Sequence, residues 1–177
     1  MKILHLNSYY IDNHLYAQLY SKLNGSVEQR VYIPIKMDRE PENEVHLMQT
    51  ELIFDKIITP IHKFNYFGKI KKIFKSIISK GFVNEIEFVH AHNLFTDGAI
   101  AYKLKKTYNI NYIVAVRTTD IELQYRFMWH RRPFIHRVLQ AADSVIFISN
   151  IYRDKLLAMM PKSLVTKIAH KVKVIPN

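Results

Sequence analysis

Residues 88–120, FVHAHNLFTDGAIAYKLKKTYNINYIVAVRTTD, constrain the fold more than any other stretch of the chain. Glu87-Phe88-Val89-His90 closes a short apolar strand. From Leu94 to Tyr108 the residues Ile100, Leu104 and Tyr108 recur four apart, the period of a helix packed along one face, and Thr96 is placed to cap it. Asn111 to Val116, rich in Val, Ile and Tyr, suits a second strand. Strand, helix and strand within roughly thirty residues make a right-handed parallel crossover. Ligands of such open sheets sit beyond the carboxyl ends of the strands. There His90, His92 and Asn93 leave the first strand, and Arg117, Thr118, Thr119 and Asp120 leave the second.

The same alternation runs through the rest of the chain. Lys2 to Asn7 reads as a strand ending in Ser8, Tyr9 and Tyr10. A helix follows, capped by Asp12, with Leu15, Leu19 and Leu23 four apart and Gly25 as its stop. Gln29 to Ile35 is a strand closed near Pro34, Met37 to Glu51 an exposed acidic loop, and Leu52 to Ile58 a weaker strand ended by Pro60. Ile61 to Phe82 reads as one long helix. Asp143 to Ser149 is a strand, Ser149 or Asn150 caps a helix from Tyr152 to Met159, Lys162 to His170 is a short helix or loop, and Lys171 to Asn177 is a last strand. This pattern predicts a doubly wound, mostly parallel, Rossmann-like α/β sheet of about six or seven strands with helices on both faces.

Length allows one ample core and not two large domains. No apolar run is long enough to span a bilayer, and MKILHLN lacks the apolar stretch of a signal peptide. With no cysteine there are no disulfides or thiolate metal sites, which fits a cytoplasmic chain. Four glycines and neither G-x-G-x-x-G nor G-x-x-x-x-G-K argue against a self-contained nucleotide site. A formal charge of +11 favours anionic partners: nucleic acid, anionic lipid or phosphorylated small molecules.

Two segments carry much of that charge. In Ile61 to Phe82, Phe67, Ile70, Phe74, Ile77 and Ile78 form an apolar stripe beside Lys63, Lys69, Lys71, Lys72, Lys75 and Lys80. The helix either packs on the sheet with a solvated basic face or turns Lys69, Lys71, Lys72 and Lys75 toward an anionic membrane, each lysine contributing about 1 kcal/mol there. The second segment, Gln124 to Arg132, interleaves aromatics with cations before Pro133 opens a helix through Leu139. Such composition serves nucleic-acid stacking or a buried helix whose Arg heads reach solvent. The rest of the chain has no nucleic-acid motif, so the buried helix is the expected outcome. His90 and His92 lack an acidic partner motif, so no metal site is expected.

Four pieces, in order, resemble the N-terminal domain of family 4 glycosyltransferases, retaining enzymes of the GT-B fold. They are MKILHLNSYY, then FVHAHNLFTDGAIAYKLKK with YIVAVRTTDIE, then AADSVIFISNIYRDKLL, and last KVKVIPN. The resemblance covers essentially the whole chain. It implies the acceptor-binding half of an enzyme that moves a sugar from a nucleotide-diphosphate donor to a saccharide or lipid-linked acceptor in cell-surface polysaccharide synthesis, inactive alone. V-I-P-N in that family leads into a C-terminal donor domain, which would lie outside residues 1–177. The donor would be the nucleotide sugar, with no cofactor and no nucleic acid, at the cytoplasmic face of a membrane. An alternative is a peripheral membrane or lipid-carrier docking module without catalysis.

Residue by residue, His90-Ala91-His92 matches the family's His-x-His, which makes His92 the first candidate to touch acceptor or sugar. Asp120 matches the Asp of a T-V-H-G-x-D-like context and is the second catalytic candidate. Arg117 stands where that context has His; it cannot act as a base but can grip an anionic acceptor by two hydrogen bonds. Asn7-Ser8-Tyr9-Tyr10 replaces the family's glycine-rich loop. The acceptor-binding set expected on this resemblance is Tyr9, Tyr10, His92, Asn93, Arg117, Thr119 and Asp120.

Overall fold

Seven runs rich in β-branched and aromatic residues pair into one sheet. The structure, a computed structural model, describes residues 1–11, 15–43 and 47–176. The expected Asp12 cap and the terminal Asn177 lie outside them. The strands are β1 (Lys2–Leu6), β2 (Glu28–Lys36), β3 (Thr50–Ile58), β4 (Phe88–Ala91), β5 (Asn111–Val116), β6 (Ser144–Phe147) and β7 (Val172–Val174). Their order is β3-β2-β1-β4-β5-β6-β7, and every pairing is parallel. From β1 the chain winds outward through β2 to β3, then returns to β4 and winds the other way. The direction therefore reverses between β1 and β4, where an open α/β sheet has its binding crevice. This is the doubly wound, Rossmann-like α/β fold that the alternating pattern predicts.

Period-two alternation divides the side chains between two cores. Leu4 and Leu6 of β1, Val89 and Ala91 of β4, Tyr112, Val114 and Val116 of β5, and Val145 and Phe147 of β6 join the larger one. Helices α2 (Tyr66–Ser79), α3 (Asp97–Tyr108), α4 (Arg132–Ala141), α5 (Asn150–Ala158) and α6 (Lys162–Ile168) cover it. Val31, Ile33 and Ile35 of β2 face the other way and pack with Tyr16 and Tyr20 of α1 (Leu15–Leu23) in the smaller core.

Four expectations are corrected here. Helix α1 buries Tyr16 and Tyr20, while Leu15 is 53% exposed; the Tyr20 hydroxyl is satisfied inside by Asn7 Nδ2 at 2.9 Å, so the aromatic face wins over the leucine face. The long 61–82 helix is three pieces, a 3-10 turn Pro60–Lys63, α2, and a 3-10 turn Phe82–Glu85. Asn65 makes the first break by accepting from Gly68 N at 2.8 Å, and the buried face of α2 becomes Tyr66, Ile70, Ile73 and Ile77, leaving Phe67 half exposed. Pro34 lies inside β2 instead of ending it, because pairing with β1 has already stopped at Tyr32. The segment before Pro133 is no buried helix: a π-helical stretch Asp120–Tyr125 and a 3-10 turn Trp129–Arg131 leave Phe127 and Trp129 61% and 71% exposed.

Helix α3 sits close on the sheet because Gly98 has no side chain. A Cβ there would stand 3.0 Å from Val114 Cγ2, 3.2 Å from Val138 Cγ1 and 3.3 Å from the Asn93 carbonyl. Gly98→Val should cost about 2 kcal/mol of stability by overpacking. Urea unfolding with an unchanged midpoint would show that α3 has room to move away.

Candidate functional site

A parallel sheet buries its middle strands on both faces, so polar residues leaving them at the carboxyl edge must find partners in one another. Three such networks meet at the crevice between β1, β4 and β5. In the first, α3 begins deep in the protein and its leading N–H groups need acceptors. Asn93 Oδ1 accepts from Thr96 N at 2.9 Å and Asp97 N at 3.1 Å. The Asp120 carboxylate accepts from Leu94 N at 3.0 Å, Phe95 N at 3.3 Å and Arg117 N at 2.9 Å. Thr96, expected as the cap, makes no side-chain cap bond. Asp120 thus anchors the turn that leads into α3, a helix that precedes it in sequence.

In the second network Asp97, fully buried, accepts from Ser8 N at 3.2 Å and from Asn93 Nδ2. Asn93 Nδ2 also donates to Ser8 Oγ at 2.7 Å, which ties the β1 exit to the start of α3. The third network lies beneath α1. His5 and His90 are register partners on β1 and β4, and His92 follows two residues on. His5 Nδ1 and His92 Nε2 stand 3.1 Å apart, and the Tyr20 hydroxyl is 3.2 Å from His92 Nε2. Tyr16 and Tyr20 meet the His92 ring edge-on. The Arg117 side chain closes this layer, donating Nε to the His92 carbonyl at 3.0 Å with its guanidinium 5.6 Å from the Tyr16 ring centre.

These placements redistribute the expected acceptor set. His92, Asn93 and Asp120 are all shut off from solvent, so they support the crevice from beneath. Tyr10 is core: it is fully buried, stacks on Tyr20 and donates its hydroxyl to the Asn43 carbonyl. Tyr9 and Thr119 do meet near the surface, where Thr119 Oγ1 donates to the Tyr9 hydroxyl at 3.3 Å. Lys69 does not share the exposed face of α2. It turns inward and donates Nζ to Thr96 Oγ1 at 2.9 Å, whereas Lys71, Lys72 and Lys75 are exposed. The crevice opens into a cavity of about 240 Å³ whose polar lining includes Ser8, Tyr9, Lys36, Lys69, Thr96 and Gln124.

Asp97 and His5 escaped the sequence reading, and Lys69 was read as one of the lysines facing a membrane. Asp97 stands in the first turn of α3, where a carboxylate is ordinary, and nothing local marks it as buried. His5 alternates with Leu4 and Leu6 of the larger core, so it lies on the opposite face of β1, and nothing local marks it as buried.

Burial sets the charges. It pushes Asp97 up to about 8 and Asp120 up to about 6. It pulls His90 down to about 4, helped by Arg117, and holds His5 and His92 well below the usual imidazole range. At neutral pH the three rings are uncharged. Their ring nitrogens come within 4.8 Å of one another, a spacing that a small rotation would bring round one ion. Metal-bound imidazoles normally pass their second N–H to a carboxylate or carbonyl. His5 Nε2 and His92 Nδ1 have no such partner among the described residues, and Arg117 adds positive charge beside them. The cluster fits a hydrogen-bonded support for the crevice better than a cation.

The fold and this carboxyl-edge crevice define a Rossmann-like α/β domain with a polar crevice at its switch point. No protein-family model matches the sequence, and no curated protein sequence matches it. Among solved structures the chain is similar to a sucrose-phosphate synthase from Thermosynechococcus elongatus, at TM-score 0.70 and 13% identity over 99% of this chain and 48% of that one. A second, shorter structure of that synthase gives TM-score 0.67 at 13% identity, covering 100% and 89%. A UDP-GlcNAc 2-epimerase from Neisseria meningitidis, solved with UDP-GlcNAc, gives TM-score 0.57 at 15% identity, covering 98% and 46%. The chain thus spans about half the length of the longer structures. At these identities the likeness establishes the fold.

Buried groups of opposite type make stability depend on pH in two directions. Between about pH 4 and 6.5 the unfolded chain binds protons on histidines that the folded protein keeps neutral, so stability rises with pH. Each buried carboxyl instead keeps a proton that the unfolded chain loses near pH 4, so its contribution falls as pH rises, to about 6 for Asp120 and about 8 for Asp97. Stability should peak near pH 6.5 and decline toward pH 8, and Asp97→Asn should remove that decline. Urea midpoints at pH 6.5 and 8 measure it; an equal fall in wild type and variant would clear Asp97 of the effect.

Proposed function

We propose that this domain is the acceptor-binding half of a retaining, GT-B-type glycosyltransferase. A sugar would pass from a nucleotide-diphosphate donor, held mainly by a second domain, to a saccharide or lipid-linked acceptor. The observation that carries this reading is the construction of the carboxyl edge. The N–H groups of the turn leading into α3, and that of Asp97, are already engaged by Asp120 and Asn93, while the cavity next to them offers hydroxyls, an amide and cations suited to a hydroxylated, anionic acceptor. The resemblance in His-x-His and Asp120, and a fold shared with a sucrose-phosphate synthase and with epimerases of UDP-GlcNAc, point to the same sugar-nucleotide chemistry.

On this reading the chain's own work is positioning. An acceptor hydroxyl is held toward the anomeric carbon by groups on the crevice rim, Tyr9, Thr119 and Arg117, kept in place by the buried layer of His92, Asn93 and Asp120. Leaving-group charge would be met by the other domain. Titration of residues 1–177 followed by NMR should show chemical-shift changes at Tyr9 and Thr119 with oligosaccharide acceptors and none with UDP or GDP. The chain alone should transfer no sugar. Tight nucleotide binding without saccharide binding, or robust transfer by these residues alone, would overturn the proposal. When paired with its donor domain, Arg117→Ala should weaken acceptor use at least about tenfold and donor binding little; equal losses in both would count against Arg117 as an acceptor contact.

A second reading, docking on an anionic membrane, is favoured by one surface. Phe64, Phe67, Phe127 and Trp129 are all exposed near Lys63, Arg126 and His130, and Phe67 packs edge-on against Phe134, joining α2 to α4. Interleaved aromatic and basic residues suit a headgroup interface. Among the described residues no helix is long and apolar enough to cross a membrane. Co-sedimentation with phosphatidylglycerol vesicles should fall severalfold on Phe127→Ser with Trp129→Ser, and also when Lys71, Lys72 and Lys75 are neutralised. Binding untouched by either change removes this reading.

A further inference from the structure

Lys69 is the one cation of α2 drawn out of solvent toward the crevice. Its Nζ bonds to the neutral Thr96 hydroxyl, and no carboxylate of the described residues forms a salt bridge with it. Among the described residues the acid that acts on its charge is Asp97, which burial keeps largely protonated at neutral pH. A second cation crowds it. Arg131, stacked 4.3 Å over the Tyr66 ring, raises the local positive potential, and its Nε is buried without a partner. Burying an ammonium without a counter-charge is costly, and here a second cation adds to the cost.

The cavity beside Lys69 is shaped for a small anion-bearing molecule. Lys36, exposed at the end of β2, stands on its rim, and Arg39, which pairs with Glu42 at 3.7 Å, lines it too. Ser8, Thr96 and Gln124 add hydroxyl and amide groups, and isoleucines from β2, β3 and α2 form one wall. At the amino edge of the sheet, by contrast, the cations are paired: Lys2 with Glu28 and Glu85, and Arg30 with Glu51 and Glu85, all within 2.7–2.9 Å.

We propose that this cavity binds a phosphate monoester, with Lys69 as the buried cation that receives the phosphate and Lys36 as a second contact at the rim. This deepens the acceptor reading by giving the acceptor a terminal phosphate, either on a soluble sugar or on a lipid. It rests on that reading for its place in a reaction. The binding itself does not require any transfer activity, so the two can fail separately.

The test uses residues 1–177, with glucose 6-phosphate and glucose as probes in calorimetry, and vesicles of phosphatidic acid or phosphatidylglycerol in phosphatidylcholine. Glucose 6-phosphate should bind saturably and glucose should not. Lys69→Met, which keeps the apolar stem, should weaken binding roughly tenfold or more, Lys36→Gln should weaken it less, and Lys106→Gln, an exposed charge control on α3, should leave it unchanged. Without ligand, Lys69→Met should melt higher than wild type because an unpaired charge is gone. Near-saturating glucose 6-phosphate should raise the wild-type Tm by roughly 5–10 °C and leave that of Lys69→Met unmoved. If phosphatidic acid vesicles bind in a Lys69-dependent way and glucose 6-phosphate displaces them, the phosphate is a lipid's. The proposal is overturned if glucose and its phosphate bind alike, if Lys106→Gln costs as much as Lys69→Met, or if no phosphate probe binds in a Lys69-dependent manner. Should Lys69→Met fail to fold, Lys36→Gln and the wild-type melting shift still decide the question.

Discussion

A helix that starts in the middle of a buried sheet edge must have its first N–H groups satisfied, and the start of α3 is where this protein meets that requirement. Leu94, Phe95, Thr96 and Asp97 donate to two side chains, Asp120 from the β5 exit and Asn93 from the β4 exit. Asp97 then reaches back to Ser8 at the β1 exit. Three strand ends converge on one helical turn, so the crevice is held by buried polar contacts on all its inner sides. The same contacts place carboxylate where Rossmann-like domains commonly receive a phosphate. The proposed phosphate site lies one step away, at Lys69.

The distribution of charge follows from this. The amino edge of the sheet neutralises itself through Lys2, Arg30 and their glutamates, whereas the carboxyl edge gathers Lys36, Lys69, Arg117 and Arg131 around carboxyl groups that burial keeps protonated or fully engaged. Four cations of the +11 excess therefore stand around the crevice. Beneath it, three neutral imidazoles and two tyrosines form a layer that is polar yet uncharged, able to support Arg117 without competing for anions.

Much of the fold was legible because periodicity is a local property. The crossover 88–120, the parallel order and the strand positions all follow from alternation of two against a period near four. The errors occurred where two faces were both apolar. In α1 the leucine and tyrosine stripes each satisfy the helical period, and only the buried hydroxyl partners of Tyr20 choose between them. In 61–82 the period continues straight through Asn65, whose capping bond ends one helix and starts another.

The site was legible by position and not by role. Strand exits named His92, Asn93, Arg117 and Asp120 directly, since polar residues after an apolar strand are visible in the chain itself. Whether such a residue faces ligand or supports the floor depends on contacts between segments about 25–90 residues apart, as in Asp120 with Leu94 or Ser8 with Asp97. By itself, then, the sequence determined a parallel α/β sheet, the polar residues that leave β4 and β5, and a strong excess of positive charge. Only the tertiary structure decided that Tyr10 belongs to the core, that Asp120 anchors the turn into α3 and that Lys69 turns inward. The physical reason is that burial, which sets charge state and hydrogen-bond need, is a property of the packed layers and of no single segment.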